Sequence, residues 1–208
     1  MCLMDISFVK KYLQENLGFS DGKIEKIREY IDLLLIFNKK YNLISRNSEK
    51  EVWSRHILDS AQIIKYIDFK KDYILSDFGS GAGLPGVILS IANNNPSFHV
   101  KLYEKSPVKR NFLADVRKIT EFDIEKNVFD YEIIKSDYIV CRAFKKLDLI
   151  FDISREKVKN PHKLIILKGK NALNDLKKLP KDKNYRYKTV NSITDKDSKI
   201  IIATKNGK

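Results

Sequence analysis

The chain reads as an α/β protein in which a helical extension precedes a parallel, doubly wound sheet. Two features carry this reading. The first third repeats apolar residues at helical spacing, and from Tyr73 onward the order becomes strand, glycine or polar turn, helix. The boundary implied is residues 1–70 for the extension, packed on a catalytic unit of residues 71–208.

Asp5 is placed to cap a first helix whose Phe8, Tyr12, Leu13 and Leu17 share a face, and Gly18 ends it. Ser20 or Asp21 opens a second, with Ile24, Ile27, Ile31, Leu34 and Leu35 along the buried stripe. "NKKYNLISRN" breaks the periodicity and reads as a loop. Ser48 and Glu51 then form a capping-box pattern before a helix running to about Tyr66. "YILSDF" is a buried strand, with Pro85 suited to the first position of the next helix. "FHVKLYE" is the second strand, followed by a helix from Pro107 to about Ile119. "NVFDYEI", "DYIVCRAF" and "HKLIILKG" supply further strands, with "YRYKTV" and "KIIIATK" as weaker candidates.

Composition narrows the function classes. No run approaches the roughly 20 apolar residues a membrane helix needs, and "MCLMDISFVKKYLQ" lacks the pattern of a signal peptide. Cys2 and Cys141 show no pairing or metal-site spacing, which fits a reducing, cytoplasmic setting with no metal; Cys141 is expected in a core strand. A net charge of +13 nominates a polyanion such as RNA or DNA, because nucleic-acid affinity comes largely from Lys and Arg displacing counterions. The competing explanation is a chain generally rich in Lys, Asn and Ile, whose charge merely solvates it.

The informative stretch is "DFGSGAGLPG", Asp77 to Gly86, at a strand-to-helix junction. Ligands of doubly wound sheets sit beyond the carboxyl ends of the strands. Gly81, Gly83 and Gly86 satisfy G-x-G-x-x-G, a pattern that by itself suits a dinucleotide. Three features redirect it. Glu104 ends the second strand 21 positions after Gly83, where an acid binds ribose hydroxyls. Asp77 puts a negative charge at the loop, awkward beside a pyrophosphate and useful beside an ammonium or sulfonium. Gly79 adds G-x-G-x-G, with Leu84 and Pro85 stiffening the helix entry. A cofactor carrying adenosine, carboxylate, ammonium and sulfonium groups fits all of these: S-adenosylmethionine. A nicotinamide-dependent oxidoreductase is the competing enzyme, disfavoured by Asp77, and a non-enzymatic RNA-binding protein on an idle fold is the competing binder.

"YNLIS", "RHILDS", "DFGSGAGLPG", "KRNFL", "CRAF" and "LKG" occur in this order from Tyr41 to Gly169. In this combination the chain resembles the bacterial small-subunit ribosomal RNA guanine-N7 methyltransferases, the glucose-inhibited division protein B family, from about Asp21 to the last strand. The resemblance implies a class I, Rossmann-like methyltransferase with a seven-stranded, mostly parallel sheet and S-adenosylmethionine as cofactor. Its implied substrate is one guanine in a 16S ribosomal RNA loop, met as RNA, as the small subunit or as an assembly intermediate, with no obligate protein partner and no membrane.

Site residues follow by position. Asp77, Gly79, Gly81, Gly83 and Leu84 would line the cofactor, with Glu104 at the ribose. The family's Arg-x-Glu-Glu-Phe-like segment beside adenine falls on Asn127 to Tyr131, where Asn replaces the Arg and Phe the first Glu. Val128 and Phe129 remain as adenine neighbours. Arg142 matches an arginine near both cofactor and RNA and is the expected catalytic-edge residue, positioning rather than acting as a base. Tyr41, Arg55, His56, Lys109, Arg110 and Lys168 are the candidates for RNA contact; Trp53 is expected in the core.

Overall fold

The computed structural model describes residues 4–179 and 184–205; Cys2 lies outside them. Helix α1 (Ile6–Leu17) and helix α2 (Asp21–Tyr41) form the start of the extension. Ser20 caps α2 by accepting the Lys23 N–H, and Gly18 closes α1 in the left-handed region at φ 70°. A short α3 (Arg46–Glu49), a π-helical turn at Trp53–Leu58, α4 (Asp59–Ala61) and a 3₁₀ turn at Ile64–Tyr66 complete it.

The sheet then alternates with helices: β1 (Ile74–Phe78), α5 (Gly86–Ala92), β2 (His99–Tyr103), α6 (Pro107–Val116), β3 (Asp123–Glu125), β4 (Tyr138–Arg142), α7 (Leu147–Lys157), β5 (His162–Lys168), α8 (Ala172–Lys177), β6 (Tyr185–Asn191) and β7 (Lys199–Lys205). The seven strands lie in the order β3-β2-β1-β4-β5-β7-β6, parallel except for β7, which runs antiparallel to both neighbours. The order reverses between β1 and β4, which are paired in register from Leu75↔Tyr138 to Asp77↔Val140. This is the switch point at which a ligand crevice forms.

Side chains alternate across the sheet with period two. Leu75, Leu102, Val140, Ile165 and Ile202 face one core, which also holds Val9, Tyr30, Leu34, Ile57, Leu89 and Phe112 from the extension, α5 and α6. Phe78, Tyr103, Cys141, Ile166 and Ile201 face the other, closed by Ile150 of α7 and Leu176 of α8. The extension therefore covers one sheet face together with α5 and α6. Burying each such Leu, Ile or Phe side chain contributes about 1.5–3 kcal/mol. Tyr30, fully buried, also ties α2 to the glycine loop by donating to the Ala82 carbonyl at 2.8 Å.

Four local expectations are corrected. α2 continues through Tyr41, beyond the expected break, because buried Asn38 is satisfied inside: its amide donates to Glu49 at 2.6 Å and its carbonyl accepts the Ile44 N–H at 2.8 Å. Ser48 caps nothing, since its hydroxyl donates to the Ser45 carbonyl. Phe8 is exposed, and Val9 takes the buried face of α1. The third strand lies at Asp123–Glu125; "NVFDYEI" instead begins with a 3₁₀ turn at Val128–Asp130, started by Asn127 accepting the Phe129 N–H.

Candidate active site

The glycine loop is anchored to the end of β2. The Gly79 and Ser80 N–H groups both donate to the Tyr103 carbonyl, at 2.9 and 3.1 Å. Glu104, directly after β2 and buried, accepts the Gly81 N–H through Oε2 and the Ser106 N–H through Oε1, each at 2.8 Å. A carboxylate has about four lone-pair sites, so two remain for further donors.

Gly79 and Gly81 are held at φ 73° and 60°, a region costly for side-chain-bearing residues. A Cβ on Gly79 would lie 2.1 Å from the Phe144 ring, whereas a Cβ on Gly81 would meet nothing nearer than the Gly79 carbonyl at 3.9 Å. Gly81 thus leaves open the space directly before the loop. Gly83 serves packing beneath the loop instead, since a Cβ there would strike Val87 and Leu113.

Three cavities open along this edge. The loop cavity, about 520 Å³, is lined by Gly79, Gly81, Leu84, Lys109, Arg142 and Thr194 among others. The β2–β3 cavity, about 280 Å³, lies between Glu104, Val128, Phe129, Lys109 and Phe144. The β4–β5 cavity, about 390 Å³, has Cys141, Ile150, Ile166 and Ile200 among its lining, with Arg142, Lys145 and Lys168. All three share Ala143, which sits at φ 51° directly after β4.

Arg142 ends β4 with its side chain 18% exposed. Its Nη1 donates to the Arg55 carbonyl at 2.9 Å and to Asp59 Oδ2 at 3.3 Å, and its Nη2 to His56 Nδ1 at 2.9 Å. Arginine has no acceptor, so Nδ1 must accept and the imidazole proton sits on Nε2, facing the Ser48 hydroxyl at 2.9 Å. Burial, with the charges of Arg142 and Arg55, pushes the His56 pKa down to about 3. His56 is a neutral acceptor that sets the arginine's direction. Asp59 is fixed in turn by Gln62 and Thr194, both donating to Oδ1 at 2.8 Å, so the loop between β6 and β7 is locked onto the extension beside the guanidinium.

Several expected roles change. Asp77 does not face the loop's ligand side. It is fully buried, its Oδ2 accepts the Gly86 N–H at 2.9 Å, and Oδ1 has no hydrogen-bond partner. Burial pushes its pKa up to about 7. Its work is to hold the start of α5 under the loop. His56 borders the loop cavity, but both ring nitrogens are engaged inside the protein, so it is not an outward RNA contact. Arg110 braces the start of α6 by donating to the Glu104 and Lys105 carbonyls at 2.9 and 2.8 Å. Tyr41 is exposed at the end of α2, 6.0 Å from Phe37, and lines none of the three cavities.

Other candidates stay at the edge. Leu84 and Arg55 border the loop cavity, with Arg55 near Glu51 at 3.6 Å. Lys109 borders both the loop and β2–β3 cavities, and Lys168 borders the β4–β5 cavity while pairing with Asp175 at 3.1 Å. Trp53 and Cys141 are core residues as expected. Sequence reasoning missed Phe144, Asp59, Gln62 and Thr194 as site residues, although "RHILDS" and "CRAF" contain two of them.

The chain's fold is shared by solved methyltransferase structures. Aeropyrum pernix fibrillarin in complex with natively bound S-adenosyl-L-methionine aligns with TM-score 0.55 and 17% identity, covering 72% of this chain and 75% of its own. A fibrillarin/Nop5p complex aligns with TM-score 0.56 and 14% identity over 74% and 82% of the two chains. At these identities the likeness establishes the fold. Sheet order, glycine loop and the acid after β2 together define a class I methyltransferase that uses S-adenosylmethionine.

Closer sequence relatives narrow the class. Ribosomal RNA small subunit methyltransferase G of Rickettsia bellii (strain OSU 85-389) is 38% identical over 182 residues, 86% of this chain and 91% of its own. The protein of that name from Pelagibacter ubique (strain HTCC1062) is 36% identical over 179 residues, 83% and 84% of the two chains. A model of the GidB family, rRNA small subunit methyltransferase G, matches residues 23–202, and the chain belongs to this family.

Proposed function

We propose that this chain transfers a methyl group from S-adenosylmethionine to N7 of one guanine in 16S ribosomal RNA. The observation that carries the reading is the meeting of three cavities at Ala143, between the glycine loop, Glu104 and the end of β4. The family's glycine loop and its arginine lie at one edge, with room for a cofactor and a base side by side. Among the described residues no helix is long and apolar enough to cross a membrane.

The residues present fit the cofactor. Glu104 has two acceptor sites left for a ribose diol, Val128 and Phe129 wall the β2–β3 cavity for the adenine, and Gly81 leaves the loop cavity clear for the amino-acid portion. When bound, S-adenosylmethionine would supply an electrophilic methyl group on its sulfonium and would leave as the neutral thioether.

Guanine N7 already offers a lone pair, so the chain has no proton to remove first. Its work is positioning, which alone supplies a large part of such a barrier reduction. Arg142, with three of its five donors engaged, keeps others for the reactants, and His56 holds it as a neutral acceptor. Lys109 and Lys168 provide cationic edges for phosphates.

The test is label transfer from S-adenosylmethionine to 16S RNA, small subunits and assembly intermediates lacking the modification. Transfer to a guanine in at least one of the three supports the reading. Absence of transfer to all three, by protein that binds S-adenosylmethionine, refutes it.

A further inference from the structure

Ala143 and Asn42 are the non-glycine residues at positive φ among those described. Asn42 closes α2, where the left-handed conformation is ordinary. Ala143 has no helix to end: it follows the last residue of β4, and its conformation is disfavoured for a residue with a Cβ. The turn it makes brings Phe144 back across the end of β1, where the ring takes up the space a Gly79 side chain would fill, 2.1 Å from the position of that missing Cβ.

The ring so placed is only half-buried, although it packs against Phe78 at 6.4 Å and 61°. Ala143, Phe144 and Lys145 are the residues shared by the β2–β3 and β4–β5 cavities, and Phe144 is the aromatic one. The ring packs partly against the core, and its exposed remainder stands between the cofactor side and a cavity of small-molecule size, where a ligand can meet it. The β4–β5 cavity has apolar walls at Cys141, Ile150, Ile166 and Ile200, the ion pairs Arg142–Asp59 and Lys168–Asp175, and further cations at Lys145, Lys170 and Lys199 that outnumber its acids. That chemistry suits a flat heteroaromatic base whose backbone is anionic. Single-stranded and loop bases are commonly held by stacking on such rings.

We propose that Phe144 is the stacking platform for the target base, seating an unstacked guanine in the β4–β5 cavity beside Arg142. This rests on the RNA methyl transfer proposed above. It adds the residue that positions the base and the cavity that receives it. Strain at Ala143 and bareness at Gly79 are then the local means by which the chain fixes one ring.

The experiment compares the parent with Phe144→Leu, Phe144→Tyr and Phe144→Trp. S-adenosylmethionine affinity is read by calorimetry, folding by thermal melting, and kcat and KM with the RNA substrate. Stacking on one aromatic predicts a loss of about ten- to hundred-fold in kcat/KM for RNA in the Leu variant. Because Phe144 also borders the β2–β3 cavity and packs on Phe78, cofactor affinity and melting should fall, but far less than kcat/KM for RNA, and Tyr should restore most of the activity. Parental kinetics in the Leu variant overturn the proposal, as does a loss matched by equal loss of cofactor affinity, or a Tyr variant as impaired as Leu. A parent that transfers no methyl to RNA fails the underlying function as well, whereas an active parent with an unaffected Leu variant fails only the platform.

A second measurement needs no variant. RNA carrying 6-thioguanine at the methylated position is irradiated in complex with the unaltered protein, and the joined peptide is identified by mass. Attachment at Phe144 supports the platform. Attachment confined to residues outside the β4–β5 cavity overturns it.

Discussion

Replacing Arg142 by Lys tests the three-way hold on its guanidinium. The parent side chain serves the Arg55 carbonyl, Asp59 Oδ2 and His56 Nδ1 at 2.9, 3.3 and 2.9 Å. A lysine ammonium is a point donor on a differently shaped stem and lacks the planar fork. It can replace one or two of these bonds, while Asp59 keeps Gln62 and Thr194. His56 Nδ1 and the Arg55 carbonyl then compete for what remains. The Arg55 carbonyl is exposed and can turn to water, so the cost falls on the part-buried His56 Nδ1, and the variant should lose about 1–3 kcal/mol. At 208 residues this corresponds to a melting decrease of about 2–12 °C. The charge is retained, so RNA affinity should change little, while methyl transfer should fall at least about tenfold because the reactants lose their oriented fork. Calorimetric melting with and without His56→Leu completes the cycle, and the two losses should fail to add by about 1 kcal/mol or more. Unchanged melting in Arg142→Lys, or strict additivity with His56→Leu, would show that the three contacts do not act as one hold.

Gly81→Val places a β-branched residue at φ 60° and projects it into the loop cavity; S-adenosylmethionine binding should vanish in calorimetry, with the fold retained at a lower melting temperature. Asp77 has a folded pKa of about 7 against an ordinary value of 3.8, so across that interval the folded state holds more protons than the unfolded. Its contribution to stability is therefore fully present below the unfolded value and lost as pH rises through about 7. Asp77→Asn should become progressively more stable relative to the parent from about pH 4 to 7, and a pH-independent difference in melting would contradict this. Lys109→Ala should weaken RNA binding and reduce its salt slope by about one, while Arg110→Ala should lower melting and leave that slope nearly unchanged. Equal salt slopes for Lys109→Ala and the parent would assign the positive charge elsewhere.

The central strands were legible because each is a short apolar run closed by a glycine or polar turn, as in "YILSDF" and "HKLIILKG". β3 was not. Its three residues, Asp123–Glu125, carry two acids and pair only along Lys101↔Asp123 to Tyr103↔Glu125, while the more strand-like "NVFDYEI" bends to wall a cavity. The π-helical turn had no readable signature either, since its register shows only in the backbone. At the site, glycine spacing located the loop and the distance to Glu104 located the acid. Asp77 reads as facing a cation because the sequence marks the end of a strand without showing which way a carboxylate there turns. In the sequence His56 stands on a helix between Arg55 and Ile57, suited equally to orienting a loop and to touching RNA, and only Arg142, 86 positions later, makes it an internal acceptor. Contacts of that separation leave no local trace.

Methyl transfer to guanine N7 is tested most simply by mapping methylated nucleotides in 16S RNA by mass spectrometry, with and without this protein. Borohydride reduction and aniline cleavage at the modified base then report the atom that carries the methyl. One additional methyl on one guanine is expected, with aniline cleavage showing that it lies on N7, and it should be lost when Gly81→Val replaces the parent. Methylation on another atom or base, or unchanged RNA when bound S-adenosylmethionine is demonstrated, would contradict the proposed activity.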